Sequence, residues 1–365
     1  MTTNPPESVA TIVASGASSG ALANPEHARD AVLRARQKIA ADTLGSVLLF
    51  LTAGYAHHPQ EAIRAAVKAA GTPEVTGCCA LKVFTEEEVL AEVEGAVALV
   101  FPHDYGFRPL SVARQFGDQL DWGLTLSSPS AAHIAINSAE LKQLGATCSD
   151  EFGDGPYSIW QSGSIVEREF CHSVLVPQGG AWIGSASGVK PLSAPMQINR
   201  AENHCVYEIN QQNPCENLLG QLPVAQHTGL NQAPGILAAV GDNQRLLHVV
   251  AVDQENGRVL LSDEVQAGQH LYWARQDSNF AATDLREQLG MAKDQIDGQP
   301  RFGLMFSNIA RGFQSFDDGQ PDLSLFQQHF PDLPLIGLCG HAEISPAAQH
   351  GSILNHYSCA FGVFS

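Results

Sequence analysis

The chain has 365 residues, 44% of them hydrophobic, and a net charge of -18 at pH 7 from 38 Asp+Glu against 20 Lys+Arg. That length supports two or three domains with full cores, and strong acidity without a basic cluster argues against nucleic acid or an anionic membrane as partner. The eight cysteines lack the dense, even spacing of a disulfide scaffold, which fits a reducing cytoplasm. Neither a signal peptide nor a run of ~18 apolar residues is present, so no membrane insertion is expected.

In chain order, residues 1–9 are polar and read as a flexible tail, Ala10 to Ser15 is strand-like, and Gly16 to Gly20 reads as a turn. Asn24 before Pro25 marks a helix start, and Ala28, Val32, Ala35 and Ile39 form its apolar stripe, ending near Asp42. The run from Val47 to Leu51 is a buried-type strand, Pro59 to Ala70 is helical, and Val75 to Cys79 is a short strand. Ala96 to Phe101 has the apolarity of a covered strand, Glu167 to Val176 a partly alternating one, and glycines from Gly179 to Gly188 supply turns. Strands follow at His204 to Ile209, Leu246 to Val252 and Arg258 to Leu261, with short helices at Pro214 to Leu222 and Thr283 to Leu289. Then the early pattern returns: strand Phe302 to Ser307, helix near Leu323 to Phe330, strand Pro334 to Cys339, with Gly337 and Cys339 aligned to Gly77 and Cys79. Ser358 to Phe364 is the last strand.

This order gives an α+β fold: two related α/β sandwich-like halves built from mixed and antiparallel sheets, with helices on the outer faces. The expected division is a tail at 1–9, a first domain at 10–224 and a second at 225–365.

Gln197-Ile198-Asn199-Arg200-Ala201, Asn203, Val206-Tyr207-Glu208-Ile209 and Pro214 resemble the close of an N-terminal FIST domain. Val252-Asp253, Gly257, Leu260, Val265, Gly268-Gln269, Phe306-Ser307, Arg311-Gly312, Phe330-Pro331-Asp332, Pro334-Leu335, Gly337 and Glu343-Ile344 resemble the C-terminal FIST domain. The resemblance runs from about Ala10 to Phe364. It implies an intracellular sensory module that binds a small molecule such as an amino acid and is usually coupled to signalling domains on the same or a neighbouring polypeptide; the partner expected here is a separate signalling protein of the kinase or cyclase type. The family pattern places an acid six residues after the glycine of each Gly-x-Cys turn. Glu343 keeps it, Val83 does not, and Asn308 stands where the second half of the family often shows Cys.

The chemistry-bearing candidates gather around the second turn. If the chain stays extended, Cys339, His341 and Glu343 share one side. Glu343 would then bind an ammonium group, Arg311 would pair with a carboxylate as a bidentate fork, and His341 would orient the ligand. Asn308 and one of the vicinal pair Cys78 and Cys79, taken as Cys79, complete the expected ligand site. The competing reading makes Cys339 a small buried hydrophobe and Glu343 a turn cap. Cys-x-His with His350 and His356 could begin a zinc site, but no second ligand pair completes it. Gly16-Ala17-Ser18-Ser19-Gly20 formally matches a nucleophile elbow without identifiable Asp and His partners, and a thiol-dependent enzyme would rest on Cys339 activated by His341. The expected protein is therefore a non-enzymatic sensor without metal or cofactor, with a ligand-free interaction adaptor as the alternative.

Overall fold

Three times along the chain a buried strand runs into a helix and returns as a second strand parallel to the first. The computed structural model describes residues 12–116, 120–223, 235–241, 245–311, 321–347 and 351–365. The tail at 1–9 and the start of the strand expected at Ala10 lie outside the described residues. The chain divides into two compact units, Met1–Ala186 with Ala282–Ser365, and Ser187–Ala281.

The first repeat of the larger unit comprises β1 (Ala14–Gly20), α1 (Pro25–Gln37), β2 (Leu44–Thr52), α2 (Gln60–Ala70), β3 (Val75–Ala80), a hairpin of β4 (Lys82–Thr85) and β5 (Val89–Leu90), and β6 (Glu94–Pro102). The second has the same order: β7 (Gly106–Pro109), α3 (Leu110–Ala113), β8 (Trp122–Ser127), α4 (Ala132–Asn137), β9 (Lys142–Thr147), the hairpin β10 (Ile159–Gln161) and β11 (Ser164–Ile165), and β12 (Phe170–Val176). The third opens with β13 (Ala181–Ser187), after which the smaller unit intervenes. That unit holds β14 (Val189–Pro191), β15 (Met196–Glu202), β16 (Cys205–Ile209), α5 (Pro214–Gly220), β17 (Ile236–Val240), β18 (Arg245–Asp253), β19 (Arg258–Leu261) and β20 (His270–Gln276). The third repeat resumes with α6 (Ser278–Gln295), β21 (Phe302–Asn308), α7 (Pro321–His329), β22 (Leu335–Gly340), the hairpin β23 (Glu343–Pro346) and β24 (Ser352–Asn355), and β25 (Ser358–Phe364).

Each repeat builds one six-stranded sheet of the same design, and each sends its hairpin to another sheet. The orders are β1-β6-β2-β3-β10-β11, β7-β12-β8-β9-β23-β24 and β13-β25-β21-β22-β4-β5. The β10 hairpin of the second repeat thus completes the first sheet, the β23 hairpin of the third completes the second, and the β4 hairpin of the first completes the third. One parallel pair lies at the centre of each sheet, with Leu49 opposite Gly77, Thr125 opposite Gly145 and Met305 opposite Gly337. These registers place the three glycines at equivalent positions of the three parallel pairs.

Alternation along the strands sets the layers. One face of every sheet meets a common core that includes Leu48, Phe50 and Cys78 of the first sheet, Leu124, Leu126 and Ala146 of the second, and Leu304, Phe306 and Leu338 of the third. The opposite face of the first sheet packs on α1 and α2 through Leu49, Leu51, Val32 and Ile63. That of the third packs on α6 and α7 through Met305, Cys339, Leu289 and Phe326. Under the short α4 the second sheet is polar instead: His172 contacts the Thr125 hydroxyl at 2.8 Å and the Ser138 hydroxyl at 2.7 Å, and Thr125 donates to Gln143 at 2.8 Å. Burial pushes the His172 imidazole down to about 4.

Local signals explain the elements. The Asn24 side chain accepts from the Glu26 amide at 3.0 Å as the N-cap of α1, and Gly71, at φ 72°, ends α2 in the left-handed region. α1 stops at Gln37 rather than near Asp42. Gly16 to Gly20 is not a turn but the body of β1, and a Cβ on Gly16 would sit 2.4 Å from the Ala31 carbonyl oxygen. Close packing of helix on strand explains that glycine, and the nucleophile-elbow reading falls with the turn. In the smaller unit β20, β15, β16, β19, β18 and β17 pair in sequence, and β17 pairs again with β20, closing a six-stranded antiparallel barrel around Trp273, Ile198 and Val259.

Ideal Cβ atoms on Gly77 and Gly145 would lie 1.6 and 1.8 Å from the Leu49 and Thr125 carbonyl oxygens. Gly145→Ala should therefore cost about 3 kcal/mol or abolish folding. Gly290→Ala, with open space around it in α6, should stabilise by about 0.5–1 kcal/mol; chemical denaturation of both variants checks the pair. His172, depressed in the folded chain, contributes stability that is complete above its ordinary value of 6.5 and lost as pH falls toward about 4. Melting temperatures across that window should fall in the parent and flatten in His172→Gln.

Candidate functional site at the strand ends

β21 and β22 end at Asn308 and Gly340, and the third repeat crosses there from its own sheet into the second. The turn Gly340–Ala342 makes that crossing. The Thr147 amide donates to the Ala342 carbonyl at 2.9 Å, and the Ala342 amide to the Thr147 hydroxyl at 2.9 Å. Since the chain turns, the alternation expected from Cys339 to Glu343 is broken. Cys339 faces the helical layer of the third sheet, whereas Glu343 enters on the core side of the second.

Glu343 pairs with Ala146 at a register position filled in the other sheets by Ile159 opposite Cys78 and Val83 opposite Leu338. Val83 and Ile159 belong to the common core; Glu343 is the one acid among the three and is fully buried. Its oxygens accept from Asn308 Nδ2 at 3.0 Å, from the Ser358 amide at 3.2 Å and from the Ser358 hydroxyl at 2.6 Å. Burial pushes its carboxyl up to about 8 against the pull of those donors and of Arg311. Asn308 also donates to the His341 carbonyl at 3.0 Å.

Arg311 lies with the other face of the sheet. Its guanidinium forks onto Asp322 of α7, Nε to Oδ2 at 2.9 Å and Nη2 to Oδ1 at 3.0 Å, with both side chains buried and the Ser307 hydroxyl on the same carboxylate. Burial opposes that charge, but the adjoining carboxylate raises the Arg311 pKa above its ordinary value. The fork foreseen for a ligand carboxylate is thus engaged inside the protein. Cys79 is buried in the helical layer of the first sheet, away from this cluster, and burial raises its thiol well above the ordinary value.

His341 stands at the rim, where its Nε2 meets Asp150 Oδ1 at 3.0 Å. Asp150 belongs to the loop 148–158, which the second repeat carries where the other two turn within one or two residues. Burial works to raise the Asp150 carboxyl, but donors from His341, Tyr157, Gly155 and Gly153 outweigh it and hold the group near about 2. Ser149 in the same loop accepts from the Leu81 amide and donates to the Cys339 carbonyl, joining the ends of β3 and β22. Sequence reasoning missed Ser149, Asp150, Tyr157, Asp322 and Ser358. Only Asp150 had a local signal, its short spacing to Gly153 and Gly155 in an Asx-type turn. His350 of the zinc alternative lies outside the described residues, and among the described residues no group of three potential metal ligands gathers. No helix among them is long and apolar enough to cross a membrane.

Burial raises the Glu343 carboxyl from its ordinary value of 4.5 to about 8 in the folded chain, so between these values the native state holds a proton the unfolded chain has lost. Its contribution is complete below 4.5 and lost as pH rises through about 8. Melting temperature should fall over that interval and change less in Glu343→Gln. At the acidic end the variant should lose about 1–3 kcal/mol, because an amide cannot satisfy Asn308 and Ser358 together.

Residues 46–212 match the FIST N domain and residues 210–346 the FIST C domain; their junction falls within the smaller compact unit. The uncharacterized protein Rv0628c of Mycobacterium tuberculosis is 25% identical over 190 residues, 49% of each chain. The uncharacterized protein Mb0898c of Mycobacterium bovis is 23% identical over 191 residues, again 49% of each. The chain spans about half the length of the curated relatives it matches. With the two domain matches running from 46 to 346, this chain belongs to the FIST family of sensory and signal-transduction domains.

Proposed function

We propose that the chain is a sensor that takes a small polar molecule at the strand-end mouth of the larger unit and acts through a separate signalling protein of the kinase or cyclase type. The observation that carries this reading is Glu343: an acid buried with Asn308 and Ser358 at a position that is apolar in the other two repeats, directly beneath the partly exposed pair His341 and Asp150. A core position that costs stability at neutral pH is the kind of feature expected of a functional site. Because Arg311 is committed to Asp322, recognition falls to the rim, where an ionised Asp150 and His341 favour a ligand with an ammonium or another donor group. Amino acids and small amines form the matching class. The protein binds its ligand without transforming it; the buried, helix-facing Cys339 does not favour a thiol enzyme.

The adaptor alternative has one observation in its favour, the 80% exposure of Phe152 on the rim loop between Glu151 and Asp154. That side chain is equally suited to contact the signalling partner.

Thermal-shift measurements with a panel of amino acids and amines test the sensor reading. A ligand at ~100 Kd should stabilise by about 2.7 kcal/mol, and Asp150→Asn and His341→Ala should each remove the shift. A panel without any shift, or one in which both variants retain every shift, would count against the mouth as the site.

A further inference from the structure

A cleft of about 670 Å³ opens at the opposite end of the third sheet, where β21 and β22 begin and β25 ends. Six residue steps along β21 put it ~20 Å from the mouth. Its volume lies in the range of small-molecule sites. Arg301, Asp297 and Asp332 line it, all exposed, and none is in an ion pair with a described residue. The contrast with Arg311 is direct, for Arg301 has its fork free of any described carboxylate. Beneath it lies Tyr105, 8% exposed, with the Arg301 guanidinium 5.9 Å from the ring centroid and a buried hydroxyl that has no hydrogen-bond partner among the described residues. Pro300, Leu333 and Pro334 supply an apolar wall.

We propose that this cleft is a second binding site, distinct from the mouth, for a small zwitterion with an apolar body. Arg301 receives the carboxylate as a bidentate fork. Asp297 and Asp332 receive the ammonium group, and the proline and leucine wall takes the apolar body. Two acids against one base set the order of preference: a plain carboxylate is repelled, a plain amine loses the Arg301 contact, and the zwitterion uses both.

Calorimetric titration of the full chain with phenylalanine, 3-phenylpropanoate and phenethylamine tests this. Phenylalanine should bind most tightly and 3-phenylpropanoate most weakly. Arg301→Met should weaken phenylalanine by about tenfold or more while leaving phenethylamine nearly unchanged, and the double variant Asp297→Asn, Asp332→Asn should weaken both. Circular dichroism checks that these surface variants fold. Glu343→Gln and Asp150→Asn, which perturb the mouth, should leave in place the component of the titration that Arg301→Met removes. Absence of phenylalanine binding at millimolar concentration, or binding indifferent to Arg301→Met, overturns the proposal. A titration lost in Asp150→Asn alone assigns the binding to the mouth and overturns the cleft as well.

Discussion

The larger unit depends on one contact made three times: a glycine in the second strand of each parallel pair that lets a carbonyl of the first approach where a side chain would stand. Leu49 with Gly77, Thr125 with Gly145 and Met305 with Gly337 occupy the same register. Parallel strands need crossovers, and the helices that provide them cover the outer faces. The inner faces are left to each other and close on one shared core. Exchange of the three hairpins then ties every sheet to another repeat, so no repeat has a complete sheet of its own.

Within that frame, charges held by the protein's own donors and acceptors differ in how much solvent they still meet. Arg311 and Asp322 form a buried pair with two parallel hydrogen bonds, a Ser307 donor and further contacts from the guanidinium to the Ala186 and Tyr357 carbonyls. Removing either partner would strand a charge in the helical layer, so the pair fixes α7 on the third sheet. Asp150 is similarly absorbed by three backbone amides and Tyr157, which shape the rim loop, yet with His341 it keeps partial contact with solvent. A charge that organises the protein and a charge that can meet a ligand differ in this residual access.

Much of the fold was legible because its signals are local. Asn24 and Pro25 announced α1, and the last strand was placed at Ser358 to Phe364, where β25 lies. The strand–helix–strand unit was visible in the first and third repeats, whose apolar strands and Gly-x-Cys ends match. The middle occurrence is masked in the sequence because α4 has only six residues and its strand ends Gly145-Ala146-Thr147. The helix expected from Thr283 to Leu289 extends from Ser278 to Gln295, because its stripe continues on both sides only as the small residues Ala282 and Ala292. Hairpin exchange and barrel closure join residues far apart in sequence, and nothing in the spacing encodes them. At the candidate site the residue types were readable and their directions were not: one turn between β22 and β23 puts Cys339 in a helical layer and Glu343 on the core side.

That turn also makes Glu343 a staple. By sequence it belongs to the third repeat, by pairing to the second sheet, and by hydrogen bonding to Asn308 and Ser358 it reaches back to the third. Val83 and Ile159 occupy the corresponding crossings with apolar contact alone, which is indifferent to protonation and weakly directional. A carboxyl there makes the junction of two sheets sensitive to charge, because the ionised form strengthens three hydrogen bonds while paying for its own desolvation. Packed sheets shift between discrete arrangements rather than deforming smoothly. A perturbation at His341 or Asp150 that alters the proton on Glu343 therefore acts on two sheets at once, and through the exchanged hairpins on the third.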